Sequence, residues 1–421
     1  MKFKFLVLLL VIFAFNYAAH AEFSDLKKTH RFYEPILFSQ EAKIMTGHLD
    51  GTFRPDDFLN RAEFTKVVVA MIFSESEIQS CTQKLSGNVF PDVPRESWFA
   101  PFVCLAHDKA IISGHDDGLF RPEAPIDAAA AAKIIVNAFE LAKENELEKE
   151  TEKWYLPFAK QMFKQDLMPA TFENPAHKVT RAEMADMIYR LKGSQNETNV
   201  ASYALAREKK NEIRNDYEIS ISYPIFQGFA NEFVEEKINS IIKEKVDYNI
   251  ESFKKDLAIA EDFDVNVPKS TMYGDYEITY SDENFISLFL RFSVYFSGAA
   301  HPNTYTDSMI YDLNENRVIG LEDLLESDSD ALNKISAYNR EVLKQQITWL
   351  HGEGMLLEDF LLPSTEPKSE NFSAVSLYKK GVIFYFDPYV VAPYVAGSFR
   401  VYMPFYELKE NLKTNFTNAE N

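Results

Sequence analysis

Gly47-His48-Leu49-Asp50-Gly51-Thr52-Phe53-Arg54-Pro55-Asp56-Asp57-Phe58-Leu59-Asn60-Arg61-Ala62-Glu63 is the stretch that decides how the first half of the chain folds. Asp-Gly calls for a tight turn with a positive φ, and Pro55 stiffens its exit. Asn60 with Glu63 three residues on is a capping box that opens a helix. Phe64, Val67, Val68 and Met71 then recur at helical spacing. The pattern returns 67 residues later, at Gly114–Ala130, without a gap. Phe23 aligns with Phe90, Asp25 with Asp92, Phe32 with Phe99, Phe53-Arg54-Pro55 with Phe120-Arg121-Pro122, and Lys66 with Lys133. A third echo, Val179-Thr180-Arg181-Ala182-Glu183, keeps the capping box but lacks the Gly-Asp-Gly loop. Each unit reads as helix, loop, helix.

The spacing also makes local predictions. Trp98, Phe99, Phe102, Val103 and Leu105 mark the first helix of unit two, with Gly114 as its C-cap. Phe120 plugs the core. Tyr155, Phe158, Met162 and Phe163 mark the first helix of unit three, and Met184, Met187, Ile188 and Leu191 the second. Asp25 and Asp92 read as helix caps, and Arg54 and Arg121 as partners in local salt bridges.

The chain has 421 residues, enough for two or three domains, with 44 Lys and Arg against 64 Asp and Glu, a formal charge of −20. Such acidity argues against nucleic acid, whose phosphates need basic partners. It suits a soluble surface or a basic protein partner. Residues 1–21 have the form of a secretory signal: Lys2 and Lys4, the apolar run Phe5–Phe15, and Ala19-His20-Ala21 before the cut. No other stretch is apolar enough to span a membrane. Export permits a disulfide between the only two cysteines, Cys81 and Cys104. Spacing leaves that bridge and two free thiols as alternatives.

Phe-Pro-Asp-Val at Phe90–Val93, the Gly-x-x-Asp-Gly-x-Phe-Arg-Pro loops and Thr-Arg-Ala-Glu at Thr180–Glu183 together resemble S-layer homology domains. Three tandem copies are expected, at 22–86, 87–147 and, in divergent form, 148–192. The resemblance implies an all-α pseudo-threefold bundle whose inter-repeat grooves bind secondary cell-wall polysaccharide, often through a pyruvylated sugar. Arg61 with Asn60 and Glu63, and Arg181 with Thr180 and Glu183, match the family's binding motif. An arginine in the first helical turn adds to the positive dipole end and can grip a carboxylate bidentately. Unit two has Asp127-Ala128-Ala129-Ala130 there instead, so its groove is expected to be inactive. Trp98 and Trp154 either stack on sugar or pack into the core.

After Leu191 the sequence turns polar. Residues 193–215 read as a linker containing a charged helical segment, Ala204–Arg214. Residues 216–413 mix strands with long helices, an α+β domain with a mostly antiparallel sheet, before a tail at 414–421. Tyr-x-Ile-x-Ile-x-Tyr-Pro at Tyr217–Pro224, Gly-Ala-Ala-His-Pro-Asn at Gly298–Asn303, the Asp312–Leu325 run and Val382–Gly397 resemble two related regions. One is the extracytoplasmic domain of lysozyme-sensing anti-sigma factors. The other is the non-catalytic region of some peptidoglycan deacetylases. The resemblance implies binding to peptidoglycan or to a basic lysozyme-like hydrolase. Residues 201–421 carry 21 Lys and Arg against 36 Asp and Glu, which suits a basic partner.

No serine elbow, zinc helix or phosphate loop is present, so neither catalytic residues, a metal nor a cofactor is expected. His301 with Asp387 could form a base or metal ligand, or His301 could simply be held by its turn. Tyr389 and Tyr394 lie in a Tyr- and Pro-rich loop suited either to stacking or to joining two strands. The expected role is a wall-anchored binding protein. The alternatives are a wall-glycan-modifying enzyme and a structural surface-layer component.

Overall fold

The computed structural model describes residues 23–83, 87–143, 147, 153–193, 203–259, 268–327, 330–413 and 416. The signal segment expected at 1–21 lies outside them, as does most of the expected tail. The first half holds helices α1 (Tyr33–Glu41), α2 (Arg61–Ile72), α3 (Glu75–Gln83), α4 (Ala100–Asp108), α5 (Ala128–Ala138), α6 (Leu156–Lys164) and α7 (Arg181–Gly193). A ring of backbone hydrogen bonds ties the three units together. Leu59 N donates to Val179 O (2.9 Å), Val179 N to Ile126 O (3.0 Å) and Ile126 N to Leu59 O (3.0 Å). The first amides of α2, α5 and α7, which have no partner within their own helices, donate to the next unit's loop. Arg61 N reaches Ala124 O, Ala128 N reaches His177 O and Arg181 N reaches Asp57 O. Accordingly α2 packs on α4, α5 on α6 and α7 on α1. The result is a closed pseudo-threefold bundle around Phe53, Phe64, Phe120 and Phe172, all fully buried.

The loops differ from expectation in two places. Asp25 and Asp92 are not helix caps. Each carboxylate accepts two loop amides: Asp25 those of Phe53 (2.8 Å) and Arg54 (2.7 Å), Asp92 those of Phe120 and Arg121. Nor is Gly114 a C-cap, since α4 stops at Asp108 and Ala110 takes the left-handed position (φ 56°). Gly114 is small because the Phe90 ring lies where its Cβ would be, 2.8 Å away. The turn glycines do have positive φ, 82° at Gly51 and 77° at Gly118. Arg54–Asp50 (2.7 Å) and Arg121–Asp117 (2.8 Å) form the local salt bridges. Cys81 and Cys104 are bridged, joining α3 to α4.

The second half is α+β. Strands β1 (Ala204–Ile213), β2 (Tyr217–Gln227), β3 (Ser270–Ser281), β4 (Phe285–Tyr295), β5 (Asn303–Asp312) and β6 (Arg317–Ile319) form one sheet in sequence order. All neighbours are antiparallel except β2 and β3, which are parallel because α8 (Glu232–Ile259) carries the chain across. Next come α9 (Leu321–Leu324), α10 (Ala331–His351) and α11 (Glu358–Ser364). A second sheet of β7 (Val375–Tyr378), β8 (Gly381–Phe386) and β9 (Phe399–Pro404) is followed by α12 (Phe405–Leu408). The segment expected as a linker helix is therefore β1, paired with β2 from Ala204↔Gln227 to Ile213↔Glu218. Its charges are used on one face, where Lys210 pairs with Asp247 and Glu212 with Lys254 (2.7 Å), both on α8.

The halves are not beads on a string. Trp349 of α10 and Tyr406 of α12 belong to the same core as the helical bundle. Trp349 Nε1 donates to Phe172 O (3.1 Å) and Gln345 Nε2 to Pro169 O (2.8 Å) and Phe172 O (2.7 Å). Arg400 pairs with the buried Asp166. Tyr406 Oη donates to the buried Asp186 (2.6 Å).

Candidate functional site

The groove between repeats one and two is built around Arg61, the first residue of α2. Its guanidinium lies 4.9 Å above the Phe120 ring, and Nη2 donates to Ser113 O (3.0 Å). Nε is buried and has no hydrogen-bond partner. Burial pushes the Arg61 pKa down, against a smaller opposing effect of Asp127. Asn60 and Glu63 are spent on the helix start: Glu63 N donates to Asn60 Oδ1 (2.8 Å) and Asn60 N to Glu63 Oε2 (2.9 Å). They fix the start of α2, where Arg61 sits. Beside it, Lys133 Nζ donates to Ser113 Oγ (3.1 Å), the residue whose carbonyl Arg61 holds. Further along α2, Lys66 Nζ sits 5.6 Å from the Trp98 ring centre, and Trp98 is 53 % exposed. Trp98 therefore offers a face to solvent rather than filling the core.

The groove between repeats two and three has the buried Ala128 at the arginine position. His177 covers the Phe172 ring there (centres 5.2 Å apart) and shares a hydrogen bond with Glu183 Oε1 (2.8 Å). Lys133 lies 5.9 Å from the Trp154 ring, which is 55 % exposed. Burial raises the Glu183 pKa, but bonds from His177, Thr180 N and Thr171 more than offset it, leaving Glu183 below its ordinary value. Thr180 and Glu183 form the reciprocal cap of α7 (2.8 and 3.2 Å).

In the groove between repeats three and one, Arg181 lies 4.7 Å above Phe53. Here Nε is satisfied by Phe53 O (2.8 Å) and Nη2 by Thr46 O (3.0 Å). Burial lowers its pKa, and Glu63, Asp57 and Asp25 oppose that. Neither Arg61 nor Arg181 forms an ion pair among the described residues. Sequence reading overlooked Lys66, Lys133 and the Phe platforms as site residues. The recurrence of lysine at the same helical position in two repeats was the available signal.

In the second half, three of the four candidates come together. His301 stacks on Tyr394 (ring centres 3.5 Å) and its Nε2 is 3.3 Å from Tyr389 Oη. Nδ1 lies 3.1 Å from Pro302 O, so it carries the proton, and Tyr394 Oη donates to the same carbonyl (2.6 Å). Asp387 stands apart: Oδ2 accepts Thr306 N (3.2 Å), and burial raises its pKa. No bond joins it to His301, so the expected base or ligand pair is not assembled. Tyr389 has φ 72°, uncommon for a large side chain. With Val390 and Val395 it forms an exposed tip. Among the described residues no three His, Cys, Asp or Glu side chains gather as a metal site.

Three families match segments of the chain. The S-layer homology domain matches 22–65 and 89–132, deacetylase PdaC matches 208–304, and a protein family of unknown function, DUF3298, matches 322–406. The chain is 24 % identical over 200 residues to the peptidoglycan-N-acetylmuramic acid deacetylase PdaC of Bacillus subtilis, covering 48 % of this chain and 40 % of that protein. It is 33 % identical to cell surface glycoprotein 1 of Acetivibrio thermocellus over 28 % of this chain and 5 % of that protein. It is 30 % identical to the cellulosome-anchoring protein of the same organism over 28 % and 26 %. A solved DUF3298 structure from Bacteroides fragilis covers 53 % of the chain and 98 % of its own, at 16 % identity and a TM-score of 0.37. The chain spans less than half the length of these curated relatives. It thus combines S-layer homology domains with a PdaC-like and DUF3298 region, and its place is the cell surface.

Proposed function

We propose that the helical bundle holds the chain non-covalently to an anionic secondary cell-wall polysaccharide, with the Arg61 groove as its grip. A pyruvylated sugar fits this chemistry. The observation that carries the reading is the half-buried Arg61 guanidinium, on an aromatic platform and with Nε unused. Placing a carboxylate there would satisfy a buried donor and remove the cost of leaving it unmade. Lys133, whose Nζ donates to Ser113 Oγ (3.1 Å) beside the Ser113 carbonyl that Arg61 holds, would take the second charge, with the exposed Trp154 ring next to it. The test is co-sedimentation with purified cell wall, native or stripped of its secondary polymer by hydrofluoric acid. The chain should pellet with native wall only. Equal binding to stripped wall would place the grip on peptidoglycan and refute this reading.

We further propose that the His301, Tyr389 and Tyr394 face binds peptidoglycan fragments or a basic lysozyme-like hydrolase, rather than carrying out hydrolysis. The separation of Asp387 from His301 favours binding over acid–base chemistry. Titrating lysozyme into the full chain should release heat that falls as salt is raised. No heat at low or moderate salt would exclude the hydrolase as partner.

A further inference from the structure

The hydrogen-bond ring makes Lys66, Lys133 and Asp186 equivalent, each five residues beyond the first residue of α2, α5 or α7. By the same symmetry Arg31, Trp98 and Trp154 are equivalent, each two residues before a nine-residue first helix. Two grooves therefore carry a Lys–Trp rim. The third carries Asp186 and Arg31, and both substitutions have partners in the other half of the same chain. Arg31 is gripped by Glu341 of α10 (3.2 and 3.1 Å) and by Glu407 of α12 (2.8 Å), with the Tyr338 ring 5.7 Å away. Asp186 is fully buried, taking Tyr406 Oη (2.6 Å) and Arg190 Nε (2.8 Å). Lys409 Nζ reaches the carbonyls of Lys28 and His30. A lysine at 186 would be an unpaired charge in this interface, and a tryptophan at 31 would lose both carboxylates.

We propose that the third inter-repeat groove has been converted from a ligand site into the docking site of the chain's own C-terminal region. Its rim is filled by α10 and α12, and only the groove at Arg61 takes polymer. The proposal rests on the polymer reading above. Arg181, although kept, has its Nε bonded to Phe53 O and sits among Glu63, Asp57 and Asp25, which would repel an anion, so it adds no second polymer site. It also fixes the orientation in which the C-terminal region stands on the wall.

Two arms test it on the full chain. In calorimetric titration with a synthetic sugar bearing a pyruvate ketal, one site per chain is expected. Arg181→Ala should stay within twofold of the parent, and Arg61→Ala should lose more than tenfold. Two sites, or an Arg181→Ala loss equal to that of Arg61→Ala, would overturn the proposal. In hydrogen exchange without sugar, Arg31→Ala and the milder Glu407→Gln should each speed exchange at least tenfold in α1 and α12, leaving α2 unchanged. No change at α1 and α12 in either variant would overturn the docking role. A parent chain that takes up no sugar would refute the polymer reading alone, and exchange would then decide docking by itself.

Discussion

The grooves at Arg61 and Arg181 start from the same parts: an arginine at the first position of a capped helix, over a buried phenylalanine. They differ at the rim. Beside Arg61, Lys133 and an exposed Trp154 face solvent. The seam between α7 and α1 buries Asp186 and clamps Arg31 under α10 and α12. A repeat can thus keep its internal architecture while two side chains change what packs against it. The bundle's symmetry belongs to its backbone ring, and its asymmetry to a few side chains.

The strongest way to break the comparison is at the shared core. Trp349→Ala removes a fully buried ring and its bond to Phe172 O, so denaturant unfolding should show a loss of about 3–5 kcal/mol. The counterpart Trp154→Ala should leave stability nearly unchanged and weaken wall binding, since Trp154 is exposed and adjoins Lys133. A smaller effect distinguishes the two caps. Glu183→Gln leaves His177 and Thr171 poorly paired and should cost about 1–3 kcal/mol. Glu63→Gln disturbs the cap and removes a charge near Arg181, and should cost about 1 kcal/mol.

The Glu183 pKa lies below its ordinary value in the fold. Its contribution is therefore present above the unfolded carboxylate pKa and is lost as pH falls through the lower folded value. An acid melt of the parent and Glu183→Gln should converge in that window, and parallel curves would show that Glu183 is not the linked group. Lys66→Ala removes an exposed cation–π pair with Trp98 and should cost about 0.5–1 kcal/mol of stability in denaturant unfolding. Smallest of all, Arg54→Ala removes an exposed pair with Asp50 and should leave both melting temperature and wall binding unmoved.

Much of the bundle was legible because its signals are local. The capping boxes at Asn60 and Thr180, the Gly51 and Gly118 turns and the Phe120 plug all depend on residues within one repeat. Asp25 and Asp92 were misread because each binds amides 28 and 29 residues away, and spacing rules do not reach that far. β1 was taken for a helix because its charges show no period of their own; the pairing with β2 and α8 imposes the strand. The docking of the two halves was invisible for the same kind of reason. In sequence Arg31 and Asp186 are ordinary charges on helical segments, and only the tertiary contacts give them carboxylate and tyrosine partners.

The most direct test of the account is a crystal structure of the chain soaked with the pyruvate-ketal sugar. The account predicts a carboxylate oxygen within about 3 Å of Arg61 Nε, with the sugar against Trp154 and nothing bound at Arg181. Sugar at Arg181, or only at the His301 face, would contradict it.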